Sequence, residues 1–551
     1  MQGKERPGLS IAGLLAGLAA MGLMAPASGC GSSGGGVSPP PPPTKYVLTV
    51  ASTGPASGVA ITASSADLNG STGGTTGFTL TYDAGTTVTL TAPASAASNN
   101  FSSWSGCTSA STTSCTVTMS ADETATAGYA LPKIYYVSAK GSDSNDGLST
   151  STPFLTIQHA ANLTEPGDTV EVMNGTYTSC AGCDGVDIAN AGTASAWITY
   201  EAYPGQTPVI SFNGWAGFSV QATAAYIEIS GFTIVGNNYN VTLAQAQKQS
   251  VSNPDPAFNG NCIVSDGRPG TATQKPHHLK FLNNTIYACG GAGIGTIQSD
   301  YITIAGNTIY DSAWYTIYDG SAISTFQDWN YDTTTGYKIF ITGNRIFGNQ
   351  NLIPFLSTGQ ITDGEGIIVD TNRNDAYDPT IGIPAYVGRT LIDNNVIYGN
   401  GSAAIEAFES DHVDIVNNSS YNDVLNPNVS GRGEMNLNEA SDINVLNNIF
   451  YASAGQNPAT VCCNASQALL DYNIYFNGPL YQGTTAGAHD VTGDPLYVDP
   501  ADANRLSVLL SVEATSPAVG TGTANLAPST DFAGNPRPGS KGYDRGAYQQ
   551  Q

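Results

Sequence analysis

The sequence predicts an all-β chain whose second half winds as a parallel β-solenoid, and three observations carry that prediction. An asparagine recurs inside a repeated phrase: LNNTIY around Asn284, AGNTIY around Asn307, TGNRIF around Asn344, DNNVIY around Asn395, VNNSSY around Asn418, LNNIFY around Asn448 and DYNIYF around Asn473. The successive spacings are 23, 37, 51, 23, 30 and 25 residues. A basal period in the low twenties, made of short strands and turns, is the length of one solenoid coil. Composition agrees: charged residues are 11% of the 551, against roughly 25% in ordinary globular proteins, and the chain is rich in Gly, Ser, Thr and Asn. An Asn stacked at one corner of every coil can hydrogen-bond its neighbours and tolerates the left-handed backbone such corners need.

The first thirty residues read as an export signal. Lys4 and Arg6 supply the positive start, and the apolar run 11–24 is too short to span a membrane. Ala27-Ser28-Gly29-Cys30 resembles a bacterial lipobox with Ala in place of the usual Leu, which implies lipidation of Cys30 and attachment to the cell envelope. The alternative is a plain secretory signal cut near Ala25 or Ala27. Residues 31–44, GSSGGGVSPPPPPT, form a tether, flexible in its Gly/Ser half and stiff in its Pro run.

Residues 45–130 read as a separate small β-domain. YVLTV (46–50), FTLTY (78–82) and TVTLTA (87–92) alternate as strands between Gly/Ser turns. The stretch 101–129 resembles the small β-repeat domains of bacterial surface proteins, with their W-x-G-C…C-x-V-x-M pattern. Trp104 in it is expected in the core.

At Ile134 the pattern changes. IYYVSAKGSDSNDGLSTSTPFLTIQHAANLTEPGDTVEVMNGTY (134–177) resembles the opening of family-nine pectate lyases and related exported right-handed β-helix proteins. DPLYVDP (494–500), SPAVGTG (516–522) and GYDRGAY (542–548) resemble their closing segment. The resemblance covers about residues 133–549 and implies a right-handed parallel β-helix. Residues 154–163 are the one amphipathic helix, with Ile157, Ala160, Ala161 and Leu163 on one side, expected to cap the open end of the solenoid. Asp143, Asp146 and Asp168 are expected as turn and cap residues.

The family resemblance implies that the strand after the Asn-turn strand lines a substrate groove. With Ile323, Ile367, Ile405 and Met435 pointing inward, alternation turns outward Ser324, Phe326 and Asp328; Ile368, Asp370 and Asn372; Glu406 and Phe408; and Glu434, Asn436 and Asn438. Carboxylates stacked about 4.8 Å apart raise one another's pKa unless a cation neutralises them. A calcium ion held by Asp328, Asp370 and Glu406 is one solution, and Arg373, Arg389 or Arg432 are another. The two long spacings place insertions at 308–343 and 345–394. These carry Trp314, Tyr315, Trp329, Asp363, Glu365 and Arg373, candidates for gripping sugar together with Phe408 and Asn436.

Two chemistries follow. In calcium-assisted β-elimination on a uronic-acid-containing glycan, a base takes the C5 proton, and Lys338, Arg373 and Arg432 are candidates. In hydrolysis, two carboxyls among Asp328, Asp370 and Glu406 divide acid and base roles. The family-nine calcium cluster contains an adjacent Asp pair, and no Asp-Asp pair occurs in this chain, so those residues are not carried over. His277 and His278 are expected to begin a strand.

The expectation is an exported monomer, a polysaccharide lyase acting on an extracellular acidic glycan with calcium. The alternatives are a glycoside hydrolase and a non-catalytic glycan-binding or adhesion protein. A net charge of −25 excludes nucleic acid, which needs basic patches. Eight cysteines remain beyond Cys30. Cys107 and Cys115 close a short loop, Cys180 and Cys183 form a CxxC, Cys262 and Cys289 could staple neighbouring coils, and Cys462 and Cys463 are vicinal. In an exported chain these read as disulfides rather than zinc ligands.

Overall fold

The computed structural model describes residues 43–97, 99–111, 113–463, 465–478, 486–502 and 504–551. The export segment, Cys30 and nearly all of the tether lie outside them.

Two five-stranded sheets form the N-terminal region. In Lys45–Thr53 the alternation places Leu48 and Val50 in a core with Leu80, Val88, Leu90 and Val117. Trp104 packs on Phe101 at this cluster and its indole nitrogen donates to the carbonyl of Thr113 at 2.9 Å, a packing role as expected.

From Ile134 onward the chain winds through three parallel sheets of eleven, eleven and nine strands, one strand per sheet per coil. The first sheet runs from Ile134–Val137 to Ser466–Asp471, the second from Thr176–Thr178 to Val491–Thr492, and the third from Val186–Ile188 to Asn457–Cys462. Inward-facing Ile, Val, Leu and Phe from all three build one continuous core. Burying that stack contributes roughly 25 cal/mol per Å² of apolar surface.

The asparagines form an unbroken ladder at the corner between the first and second sheets. Each Oδ1 accepts from both the backbone and side-chain nitrogens of the preceding coil's Asn, from Asn284–Asn307 at 2.9 and 3.1 Å to Asn448–Asn473 at 2.9 and 3.0 Å. Asp490 Oδ1 receives the last rung at 2.7 Å. The left-handed residue is the one before each ladder Asn: Asn283, Gly306, Gly343, Asn394, Asn417, Asn447 and Tyr472, with φ between 54° and 67°. The doubled Asn of the phrase thus has two jobs, backbone reversal first and stacking second. A second ladder was not read from the sequence. At the next corner Ser312, Asn349, Asn400 and Asp423 connect at 2.7–3.0 Å.

The helix is shorter than expected, Ile157–Ala161, capped by Thr156, whose Oγ1 accepts from His159 N. Asp143 accepts from the backbone nitrogens of Leu155 and Thr156, which holds that stretch extended and delays helix entry. Ile157, Ala160 and Ala161 are buried, but Leu163 lies past the C-cap Asn162 and is exposed.

Both expected insertions divide in two, giving loops 311–322 and 327–336, then 348–366 and 371–388, one on each side of the third sheet. A further insertion, 236–260, carries the short helices Leu243–Ala246 and Pro256–Asn259. It precedes the first Asn phrase, so the asparagine spacing could not reveal it. The C-terminal segment lies along the second sheet: Tyr497, Val508, Leu510, Val512 and Ala547 pack against Phe347, Tyr398, Ile449 and Ile474. The second sheet is therefore covered. Disulfides join Cys107–Cys115, Cys180–Cys183 and Cys262–Cys289, while Cys462 and Cys463 are free thiols.

Candidate functional site

The third sheet has the register that alternation dictates. Ile323, Ile367, Ile405 and Met435 align and point inward; Ser324, Ile368, Glu406 and Asn436 align on the outer side, as do Phe326, Asp370, Phe408 and Asn438. Over this column the loops assemble Asp319, Asp363, Glu365, Asp370 and Glu406 with Arg432, close enough to perturb one another's charge.

Glu365 and Glu406 form the fully buried floor. Glu365 occupies the corner that serines hold in the coils on either side. Ser321 Oγ donates to its Oε2 and Ser402 Oγ to its Oε1, both at 2.6 Å. The preceding Gly364 has φ 106°, and a Cβ there would stand 2.8 Å from the backbone nitrogen of Asn351, so the turn delivering Glu365 requires glycine. Glu406 Oε1 accepts from Asn436 Nδ2 at 2.7 Å and pairs with Arg432 at 3.2 Å. Its Oε2 is buried without a hydrogen-bond partner among the described residues. Burial pushes the Glu406 carboxyl up to about 8; Arg432 opposes this, and the neighbouring Glu365 adds to it.

Above the floor stand three partly open carboxyls. Asp370 accepts from Thr371 Oγ1 at 2.6 Å, and burial, with Glu409 and Glu365 adding repulsion, raises it to about 7. Asp319 accepts from Thr362 Oγ1 at 2.5 Å and from Asn351 Nδ2 at 3.3 Å, and burial raises it to about 7. Asp363 is raised well above an ordinary carboxyl by burial and then by repulsion from Glu365 and Asp319. Thr371, a β-branched residue, is held at φ 53° in a column of left-handed residues, Gln298, Gln327, Thr371, Glu409 and Glu439, that ends successive third-sheet strands. Strain of this kind persists where stacking over-determines the backbone.

Several expected site residues are placed elsewhere. Lys338 lies on the first sheet, buried between Asp300 at 3.0 Å and Asp332 at 2.9 Å, with its ammonium over the ring of Tyr301. Burial disfavours its charge, but those carboxylates outweigh burial and hold the ammonium above its ordinary range, the opposite of what a proton-abstracting lysine needs. Arg373 is committed to Asp411, with Nε at 2.9 Å and Nη2 at 2.8 Å from one oxygen. Asp328 turns inward after left-handed Gln327; it is completely buried, with Thr325 Oγ1 at 3.4 Å. Trp329 is buried, donating to the carbonyl of Ala272 at 3.2 Å, and Trp314 donates to that of Gly348 at 3.2 Å under its own loop. Trp329 thus offers no face to sugar, and Trp314 is partly buried against the loops around it. Phe408 and Asn436 remain on the groove side, beside Asp370 and Glu406. Asp319, Ser321 and Ser402 were missed by sequence reasoning.

The description "Pel9A-like, right handed beta helix region" matches residues 135–436, more than half of the chain. This chain belongs to that family. The chain is also 26% identical over 321 residues to the uncharacterized protein YwoF of Bacillus subtilis (strain 168), covering 49% of this chain and 63% of YwoF. It thus spans less than two thirds of that relative. Among solved structures, pectate lyase Pel9A shares 17% identity over 77% of this chain and 97% of its own, with a TM-score of 0.42. The GH136 lacto-N-biosidase from Eubacterium ramulus shares 14% over 66% and 67%, with a TM-score of 0.39. At these identities the likeness is one of fold alone.

The calcium ion expected from the column of carboxylates would need Asp328, Asp370 and Glu406 together. Asp328 points away, and Glu406 already receives Arg432 and Asn436. Among the described residues no three His, Cys, Asp or Glu side chains are placed to hold a metal ion. The residues present do not fit that site.

Proposed function

We propose that this member of the Pel9A-like family is a carbohydrate-active enzyme that hydrolyses a neutral glycan laid across the third sheet. The observation that carries the reading is the division of labour among closely set carboxyls. Partly open Asp363 and Asp370 retain protons towards neutral pH above a buried Glu365–Glu406 pair. General acid–base catalysis works best when the catalytic pKa lies near the working pH.

In this scheme Asp363 gives its proton to the glycosidic oxygen as the bond to the anomeric carbon breaks. Asp370, in the ionised form it reaches as the pH passes about 7, takes a proton from the attacking water, or attacks the anomeric carbon itself. Glu365, Glu406 and Arg432 are positioning residues that set the protonation of the two above them.

The electrostatics argue against the uronic-acid polymer expected from sequence. Five carboxyls face one arginine, and that arginine is already paired with Glu406. That arginine is not free to receive a uronate's carboxylate, and no donor set among the described residues fits a bridging cation. Of the three bases proposed for elimination, Lys338 and Arg373 are tied into ion pairs with other partners, and Arg432, which does lie in the cluster, is paired with Glu406.

The test is product analysis on neutral and acidic polysaccharides. New reducing ends without ultraviolet absorbance support hydrolysis, and the reading predicts that Asp370→Asn abolishes them while the fold survives. Products absorbing as unsaturated uronates would identify elimination and sink the proposal. Retention without any cleavage would identify a binding protein.

A further inference from the structure

The carboxyl cluster occupies only part of the third-sheet face. Towards the N-terminal end of the same face two aromatic rings stand open to solvent. Trp215, which immediately precedes the strand Ala216–Val220, is 40% exposed, and Tyr318 is 46% exposed. Their ring centroids are 6.4 Å apart with the planes inclined at 50°. Exposed aromatics are costly to leave in water, so an open pair on a groove marks a contact surface.

The two rings come from distant coils. Between the strand that follows Trp215 and the one that follows Tyr318 lie two others, Asn261–Asp266 and Ile294–Ile297. Three coil steps of about 4.8 Å would part the rings by about 14 Å if each stayed over its own strand. Loop 311–322 closes the distance by folding back over the earlier coils. Gln249 Nε2 donates to the carbonyl of Tyr315 at 2.9 Å, the Ile317 nitrogen donates to Asn259 Oδ1 at 3.0 Å, and the nitrogen of Thr316 reaches the carbonyl of Gly290 at 3.2 Å.

The next residue in this loop is Asp319, a member of the carboxyl cluster. One loop therefore carries one ring of the aromatic pair and a member of the carboxyl cluster on adjacent residues. Beside Trp215 opens a cleft of about 770 Å³ lined by Gln245, Lys248, Gln249, Asn253 and Phe258. Amides, one ammonium and the Asp255 carboxylate around an aromatic wall suit a ligand with an apolar C–H face and a rim of hydroxyls, which is a pyranose ring.

We propose that Trp215 and Tyr318 form a sugar-stacking subsite that grips a residue of the glycan away from the scissile bond. It supplies a length preference that the buried Trp329 cannot. The proposal rests on reading the third-sheet face as a glycan groove.

The experiment is affinity electrophoresis of the full chain in gels containing arabinoxylan, mixed-linkage β-glucan, galactomannan or, for comparison, polygalacturonate. It uses the Asp370→Asn background so that the probe is not cut. Retardation by a neutral glycan is expected, with an apparent Kd raised about tenfold by Trp215→Ala or Tyr318→Ala, a change of about 1.4 kcal/mol. Trp215→Phe should recover part of the loss. Undiminished retardation in both alanine variants overturns the proposal, as does a parent retarded by no glycan. Folding of each variant is verified by its thermal midpoint. If retardation depends on both rings but the wild-type chain releases no reducing ends, the hydrolytic reading falls and the subsite stands.

Discussion

Replacing Glu406 by glutamine tests the protonation pattern without any knowledge of substrate. In the native chain burial holds the Glu406 proton up to about pH 8, whereas an ordinary glutamate releases it near 4.5. Between those values the folded protein binds more protons than the unfolded one, so this group's contribution to stability falls as pH rises. It is fully present below about 4.5 and lost by about 8. At 1.36 kcal/mol per pH unit the whole excursion is worth about 5 kcal/mol at most. The amide introduced by Glu406→Gln does not titrate, and its oxygen keeps an acceptor for Asn436 and Arg432. The variant should therefore match the wild type near pH 4.5 and gain on it steadily up to pH 8. The assay is the urea midpoint, followed by tryptophan fluorescence, at several pH values across that range. Parallel pH profiles, or a variant that loses ground as pH rises, would show that Glu406 is ionised in the folded chain and refute the argument.

Three further outcomes are expected. Arg432 lies 3.2 Å from Glu406, and removal of an opposite charge at that range raises a carboxyl pKa by about 1–3 units; Arg432→Gln should thus move the alkaline limb of kcat/KM upward, as read by reducing-end release across pH. Asn344→Ala removes a buried rung that accepts twice from Asn307 and donates to Ile304 and Asn395. At roughly 1–3 kcal/mol per stranded buried group, it should lower stability by about 3 kcal/mol in a denaturant titration. Chelation by EDTA should leave glycan cleavage unchanged, because no described donor set fits calcium; restoration of lost activity by added calcium would contradict that.

The fold was legible because stacking repeats itself. Each coil presents the same corner, so the ladder asparagines recur with the same flanks, and the alternation of Ile367 and Ile405 sets the register of everything outside them. Asp370 and Glu406 followed from that register directly. Lys338 and Trp329 did not, because they sit in and around the split insertions, whose path depends on tertiary partners such as Asp300 and Ala272. A signal for the cluster floor was nevertheless present. Before successive third-sheet strands the chain reads GAGI, GSAI, GEGI and GSAAI. One glutamate in a column of small residues is a local contradiction of pattern, and such contradictions collect at functional sites. The second ladder had a comparable trace in YDS, FGN, YGN and YND at 310–312, 347–349, 398–400 and 421–423. Trp215 and Tyr318 left none, since their approach depends on loop 311–322 folding back across two coils.

The same geometry that stabilises the solenoid also prepares its acids. Stacked coils force like beside like, and inside the molecule the conflict is resolved by amides, which donate on one side and accept on the other. Where the stack ends in carboxyls that solution fails. At the end of the second ladder Asp423 accepts from Asn400, while Glu434 Oε1 accepts from the Asp423 nitrogen at 2.9 Å. Burial raises both carboxyls, Asp423 to about 6. The groove repeats the situation with Glu365 and Glu406, but there partly open Asp319, Asp363 and Asp370 lie above the buried pair. Burial first, and repulsion between neighbouring carboxyls second, raises all three, Asp319 and Asp370 to about 7, the condition for acid–base work. A bound cation would lower those pKa values and discharge the acid. On the proposed reading, that is why proton transfer to a neutral sugar is preferred to metal-assisted attack on an acidic one.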